Sequence, residues 1–500
     1  MFRIGGCSVT RNLHVALLCF FVSWAAVGVL HVYPGYVHQD TAEVFMWSQI
    51  GYLGGFTKHP PLMAWLFRAV DSIVPLNFAT IALLSAANLT IGAFAVCKIA
   101  ERVVGPERAS AAMLFYMLTP FATWQAIKLN HNSILVSVWP LAILAFLMFR
   151  ERPTVVRGAL LGLIVGLAIL AKYYAVMLVA AMAVVLLPSL LRYVASPGTY
   201  VGLLAAVLVL SPHVLWIYGN PGGMATGTGG ATEPGTVSLM LTRNLLGLLP
   251  VFVGFLVLRY GDRSGNGAEA SELPRRDEWS VAVALFAVPY ALTLVANMLL
   301  GLRGSASWTM PIFTIVPVIL AGLLPRPASV QQARIGYVSL AILALVLVAG
   351  PGIRYTAFKR GDVSSVEPRI EMAEAADKLW GRIAPAQPLR VVAGDHQYVM
   401  QAAVSLPSRP RGWTGFVGMP FIPQAYIDAN GFVAICEPAD AGCRSRTAEV
   451  TAGRPVVTCT VAKRRTLWGQ TGREFKVVMT LVPPAGLKLG PASEKVCNEL

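Results

Sequence analysis

Asp40 and Glu43 stand three residues apart, with Trp47 four further on, in a stretch from Asp40 to Gln49 whose acidic and apolar residues mix at helical spacing. Steps of three and four put all three side chains on one helix face. A carboxylate positioned there can take a proton from an attacking hydroxyl, which makes Asp40 the candidate general base. Glu43 is the candidate for orienting it or binding an acceptor, and Trp47 for stacking on a sugar. The competing role for Asp40 is a helix N-cap. Glycines between Tyr52 and Phe56 break the helix, and Lys58-His59-Pro60-Pro61 follows. The prolines hold the backbone extended and fix where Lys58 and His59 point. Lys58 is thereby a candidate phosphate partner, and His59 a hydrogen-bonding residue for a substrate.

The elements that must position these groups are membrane helices. The chain has 500 residues, 56% hydrophobic and 13% charged, with mean hydropathy +0.62, which marks a polytopic α-helical membrane protein. The formal charge of +15 does not indicate nucleic acid, because the basic residues sit in short connections between apolar runs. About eleven runs approach spanning length, near residues 13–30, 78–97, 109–127, 132–149, 155–171, 173–190, 199–218, 240–258, 279–300, 308–324 and 334–351. No small-residue cleavage site follows the first run, so it reads as an uncleaved span. With the N-terminus inside, the inner connections carry Lys98, Arg102 and Arg108; Arg150, Arg152 and Arg157; Arg192; Arg259, Arg263, Arg275 and Arg276; and Arg326 and Arg334. An odd number of spans then delivers the tail to the outer side, where Asp40 also lies. The domains read as 1–351, a membrane domain with a first outer loop at 31–77, and 352–500, a small extracytoplasmic α/β domain. That tail is expected to hold a helix from Glu371 to Ile383 and strands at Leu389–Val392, Val433–Cys436, Val456–Val461 and Lys476–Leu481. Of its cysteines, Cys436 with Cys443 is the preferred disulfide, and Cys459 and Cys497 are the others.

Basic residues that break the positive-inside pattern are Lys58, Arg68, Lys128, Lys172 and Arg303. A lipid-linked phosphate needs charge and donors at headgroup depth, which these five can supply. The competing role is snorkelling to bulk lipid. Lys172 leads, because it lies between two apolar runs with almost no loop. Asn130 and His131, beside Lys128, can bond sugar hydroxyls. No cofactor is expected: the histidines lack the helical spacings of metal sites, which leaves a divalent ion near His38, Asp40 and His59 as the minor alternative. The glycine-rich 219–235 stretch has no strand before it and no Lys-Ser/Thr after it, so it is not a phosphate-binding P-loop.

Asp40, Trp47-Ser48-Gln49 and His59-Pro60-Pro61-Leu62 together resemble the first outer loop of GT-C-type, polyprenyl-phosphate-dependent glycosyltransferases. Where the aminoarabinose transferases of lipid A place Glu after the Asp, this chain has Thr41; D-x-x-E with K-H-P-P-L is more similar to the lipopolysaccharide-core galacturonosyltransferases. Leu170-Ala171-Lys172-Tyr173, Ser211-Pro212-His213 with Trp216, and Trp308-Thr309-Met310-Pro311 resemble further family segments, which adds His213 to the candidate substrate-binding residues. The resemblance implies a GT-C fold in the bacterial inner membrane, with its active face and tail toward the periplasm. It implies an inverting enzyme that takes sugar from a polyprenyl-phosphate donor to a hydroxyl of lipid A, lipopolysaccharide core, another envelope glycan or a protein. A transporter or flippase of lipid-linked glycan is the alternative; it calls for repeat symmetry and charged midplane helices, neither of which is clear here.

Overall fold

The computed structural model describes residues 11–32, 37–50, 54–56, 59–220, 236–260, 276–299, 306–324, 329–416, 422–487 and 497. The helices begin with α1 (Arg11–Val27), α2 (Gln39–Ser48), α3 (Leu62–Asp71), α4 (Phe78–Val103), α5 (Pro106–Met117), α6 (Leu135–Glu151) and α7 (Val155–Ala171). Next come α8 (Val176–Leu186), α9 (Leu190–Val194), α10 (Pro197–Gly219), α11 (Thr236–Tyr260), α12 (Arg276–Leu299), α13 (Ala306–Thr309), α14 (Val316–Gly322) and α15 (Ser329–Arg360). The remainder is α16 (Val363–Val366), α17 (Arg369–Ile383), β1 (Val391–Gly394), α18 (His396–Ser405), β2 (Arg411–Thr414), α19 (Gln424–Asn430) and β3 (Phe432–Cys436). It closes with α20 (Ala441–Val450), β4 (Val457–Lys463), β5 (Thr466–Leu467), β6 (Gln470–Thr471) and β7 (Phe475–Val482). The chain divides into two compact units: Met1–Gly28, Leu53–Met63 and Ile81–Val346 form one, and Val29–Tyr52, Ala64–Thr80 and Leu347–Leu500 the other.

The described residues contain six helical runs long and apolar enough to cross a membrane: Leu13–Leu30, Phe78–Val103, Tyr173–Val194, Pro197–Gly219, Val237–Tyr260 and Asp277–Leu299. Val155–Ala171 and Ile312–Gly322 are apolar but shorter. Two of the expected spans are broken. The 109–127 run stops at the end of α5, because Thr119 and Thr123 turn their hydroxyls back onto the chain and Pro120 opens a 3₁₀ turn. The 308–324 run is cut by Pro311 into α13, a 3₁₀ turn and α14.

Helices α7 and α10 meet along glycines. A Cβ at Gly158 would strike the Gly198 carbonyl, and one at Gly162 the Gly202 carbonyl, so the backbones approach as closely as small residues allow. Basic residues gather at one end of the bundle. Arg150 pairs with Glu278 at 2.7 Å, Glu151 takes Arg102 and Arg157 at 3.4 Å, and the Glu151 carbonyl accepts from Arg192 at 3.0 Å. A cleft of about 550 Å³ opens there, lined by Arg150, Arg192, Tyr193, Asp277 and Glu278. Lys172, by contrast, follows the far end of α7.

The second unit is built on a five-stranded sheet in the order β2-β1-β3-β7-β4. β1 is parallel to both β2 and β3, while β7 is antiparallel to β3 and β4, with Ala393 opposite Ala434 and Cys459 opposite Met479. Val391, Ala393, Phe432, Ala434 and Val482 form a core with Ile427 of α19. The four expected strands and the expected helix correspond to β1, β3, β4, β7 and α17. Cys436 pairs with Cys443 as expected, and Cys459 pairs with Cys497.

Acidic side chains crowd the carboxyl ends of β1 and β3. Asp395 caps α18 by accepting from the Gln397 amide at 2.9 Å, and Asp440 caps α20 by accepting from the Cys443 amide at 2.9 Å. Burial pushes the Asp395 carboxyl above its ordinary range, with Glu367 and Asp440 adding to the effect. Burial followed by Asp395 and Glu367 does the same for Glu437. A carboxyl raised in the fold contributes stability that is fully present below its unfolded pKa and is lost as pH climbs through the raised value. Asp395→Asn keeps the cap but removes the charge. In thermal unfolding of the full chain it is expected to raise the midpoint at pH 7.5 and leave it nearly unchanged at pH 4. An equal loss at both pH values would show that the cap alone matters.

Candidate active site

The irregular segment between α5 and α6 is held by its own side chains. Asn130 Oδ1 accepts from the Asn132 and Ser133 amides at 2.9 and 3.0 Å and from the Ser133 hydroxyl at 3.2 Å. Asn88 on α4 donates to the Ser133 carbonyl at 2.8 Å, and Ser85 donates to the Ile127 carbonyl at 2.6 Å. Non-helical backbone survives among apolar helices only when its polar groups are satisfied in this way. Asn130 is 1% exposed with Oδ1 committed to the turn, so it builds the site rather than offering that oxygen to a sugar. His131 is also buried; its Nδ1 lies 3.3 Å from the Ala171 carbonyl, and its ring stacks on His59 with centroids 4.2 Å apart.

Lys172 follows α7 with an extended backbone, φ −163° and ψ 135°, before a 3₁₀ turn over Tyr173–Ala175 leads into α8. Its ammonium is bonded to Asn132 Oδ1 and lies 5.0 Å from the Trp308 ring centroid. The break between the helices therefore turns a lysine toward the same turn that carries His131. A cation held by an amide oxygen and an aromatic face has a defined place, which suits a phosphate partner. Lys128 lies in the same irregular segment and is half-buried. Lys58 and Arg303 fall outside the described residues.

His213 is a structural fastener. Its Nδ1 is 3.1 Å from the Gly54 carbonyl and its Nε2 is 2.7 Å from the Tyr173 hydroxyl, so Nδ1–H donates and Nε2 accepts. A Cβ on Gly54 would enter the Trp216 ring, and one on Gly55 the His213 ring, which explains the glycines in this loop. Both ring nitrogens being engaged, His213 positions Tyr173, beside Lys172, rather than presenting a free nitrogen to substrate.

The carboxylates belong to the second unit. In α2 residues 41–48 are buried, Glu43 among them at 8% exposure. The N-cap is His38, whose Nδ1 accepts from the Asp40 amide at 3.2 Å, and not Asp40. Asp40 stands in the first turn with its side chain 31% exposed, 3.8 Å from the His38 ring. It is thus spared the capping role and open to solvent on one side. Trp47 is 1% exposed. Arg68 donates to the Ser48 carbonyl at 3.4 Å, which ties α3 to the end of α2. Among the described residues no group of three His, Cys, Asp or Glu side chains could hold a metal ion. Asn132, Tyr173 and Trp308 complete the Lys172 surroundings; their only signal in the chain is their place in the N-H-N, K-Y-Y and W-T-M-P segments.

The family described as dolichyl-phosphate-mannose-protein mannosyltransferase matches residues 58–216, which takes in His59, Lys128, His131, Lys172 and His213 but not Asp40. Two solved structures of ArnT from Cupriavidus metallidurans superpose on almost the whole chain. The apo form has TM-score 0.57 and 15% identity over 94% of this chain and 96% of the other. The form bound to undecaprenyl phosphate has TM-score 0.56 and 15% identity over 96% and 98%. The chain has a GT-C-like fold. It is a polytopic α-helical membrane protein with a C-terminal β-sheet domain. Lipid A galacturonosyltransferase RgtD of Rhizobium johnstonii is 30% identical over 178 residues, covering 35% of this chain and 37% of that protein. Lipopolysaccharide core galacturonosyltransferase RgtA of the same organism is 25% identical over 260 residues, covering 50% and 51%. The matches thus span about half or less of these curated relatives.

The fastener role of His213 is testable in this GT-C-like bundle. His213→Phe keeps an aromatic ring but removes the bonds to Gly54 and Tyr173, each worth about 1–3 kcal/mol when a buried group is left behind. A thermal midpoint in detergent several degrees below that of the parent is expected; an unchanged midpoint would rule the role out.

Proposed function

We propose that the protein is an inner-membrane glycosyltransferase that moves a sugar from a polyprenyl-phosphate donor to a hydroxyl acceptor on the periplasmic side. The observation that carries this reading is the Lys172 ammonium held by Asn132 and Trp308 beside the stacked His59 and His131, at the end of the bundle away from the Arg150, Arg157 and Arg192 belt. A basic belt of that kind marks the cytoplasmic side, which puts Lys172 at the outer headgroup level. About eleven membrane passages, some of them broken or short, are proposed from the apolar runs. The two galacturonosyltransferases favour a uronic acid donor and a lipid A or lipopolysaccharide-core acceptor.

In the proposed reaction the acceptor oxygen attacks the anomeric carbon while its bond to the donor phosphate breaks. Asp40 takes the acceptor's proton, and polyprenyl phosphate leaves with its charge offset by Lys172, with Lys128, Lys58 and Arg303 as further cations. A single displacement inverts the anomeric centre. Glu43, buried one turn from Asp40 on the same helix, orients Asp40 or binds the acceptor.

Asp40→Asn removes the proton acceptor without removing a cap, so transfer is expected to fall by about 10² to 10⁴-fold while donor affinity stays at the parental value. Glu43→Gln should fall less. Transfer by purified Asp40→Asn at close to the parental rate would dismiss Asp40 as the base. Lys172→Met is expected to weaken binding of the polyprenyl-phosphate sugar at unchanged protein abundance. An unaltered donor affinity would make Lys172 a lipid-snorkelling residue.

A further inference from the structure

Helix α2 is held at both ends by chain more than 300 residues away in sequence, all within the second unit. At its start the Val37 amide donates to Gln401 Oε1 at 3.4 Å, and Gln397 donates to Gln39 Oε1 at 2.7 Å. At its end, besides Arg68, stands Arg409, in the turn between α18 and β2. The guanidinium bonds both oxygens of Asp71, at 2.6 and 2.9 Å, and the Leu76 carbonyl at 3.1 Å. It also lies 5.9 Å from the Phe45 ring centroid, and the Arg409 carbonyl accepts from Gln49 Nε2 at 3.4 Å. One residue therefore touches α2, the end of α3 and the connection to α4.

Arg409 does this from a left-handed backbone conformation, φ +46°, that a residue with a Cβ rarely adopts. Such strain persists where surrounding interactions over-determine it. Here those interactions are the Asp71 pair made through one guanidinium nitrogen, the Leu76 bond made through another, and the Gln49 bond. Nearby, Gly412 leaves room for Met46 of α2, since a Cβ there would meet the Met46 sulfur. The C-terminal unit and the acid-bearing helix are thus packed as one piece, with the arginine at the joint.

We propose that Arg409 is a positioning residue for sugar transfer, acting through α2 to hold the Asp40 carboxylate in its reactive orientation. This rests on the reading of Asp40 as general base. Misplacing a reacting group by about 1 Å can cost on the order of 100-fold in rate, so loss of the joint should be read in turnover rather than in donor binding. Lysine cannot replace the guanidinium: it keeps a charge for Asp71 but not the planar set of donors that also reaches Leu76.

The test is a double-mutant cycle on the purified full chain, with thermal stability measured alongside. Arg409→Met is expected to lower kcat by about 10 to 100-fold with donor KM within twofold, and Arg409→Lys to recover part of the loss. In the Asp40→Asn background Arg409→Met should cost nothing further, because the group it positions is gone. Multiplying losses, or a parental kcat in folded Arg409→Met, would overturn the positioning role while leaving Asp40 as base. A parental rate in Asp40→Asn alone would instead overturn the base reading, and the positioning role with it. Should Arg409→Met not fold, Asp71→Asn, which keeps the shape of the pair but weakens it, is expected to give the same kcat-only loss on a smaller scale.

Discussion

Irregular backbone inside a layer of apolar helices has no water to bond, and it must find every partner within the protein. That constraint organises the first unit. Residues 118–134 leave the helical path at Pro120 and are stabilised by Asn130, Ser133, Asn88 and Ser85, whose bonds replace the missing helix ladder. The turn so formed delivers Asn132 to Lys172 and His131 to His59. Loss of the turn would remove the Asn132 bond to Lys172 and the His131 stack on His59. The turn that interrupts the helical path is also the one that carries the residues around Lys172.

The glycines serve the same end by a different route. Along α7 and α10 they bring two backbones together and leave little room for rotation of one helix against the other, so the residue that follows α7 has a defined direction. In the loop at Gly54 and Gly55 they admit the rings of Trp216 and His213, and His213 in turn engages Tyr173 next to Lys172. Lys172 is thus placed by packing on one side and by hydrogen bonds on the other.

In the second unit, a mixed α/β sheet is attached to a short helix from the other end of the chain. The sheet's own needs account for Ile427 and Val391, but not for Arg409, Gln401 or Gly412, whose partners include residues on and next to α2 and α3. A carboxylate on a ten-residue helix would by itself be mobile, since a helix of that length is marginal in water without tertiary support. Packing against α18 supplies that support.

Composition and charge distribution were sufficient to determine a polytopic membrane protein with its arginines toward one side, because transfer free energy and loop charge act residue by residue. The helical face of Asp40 and Glu43, the proline brake after His59, the break at Lys172, the strands of the tail and the Cys436–Cys443 bridge were legible for the same reason: each depends on neighbours a few residues away. The tertiary structure alone decided what depends on distant partners. Trp47 became core, Asn130 a turn-builder and His213 a fastener, because burial and bonding to Gly54, Tyr173 and Ser133 are set by helices whose packing no local pattern encodes. The broken spans at Pro120 and Pro311 belong to the same class, since hydropathy measures how apolar a run is and not whether its backbone stays helical. Arg409 is the extreme case: its environment is assembled from residues 45, 49, 71 and 76, and a polar residue in a surface turn carries no mark of that in the sequence.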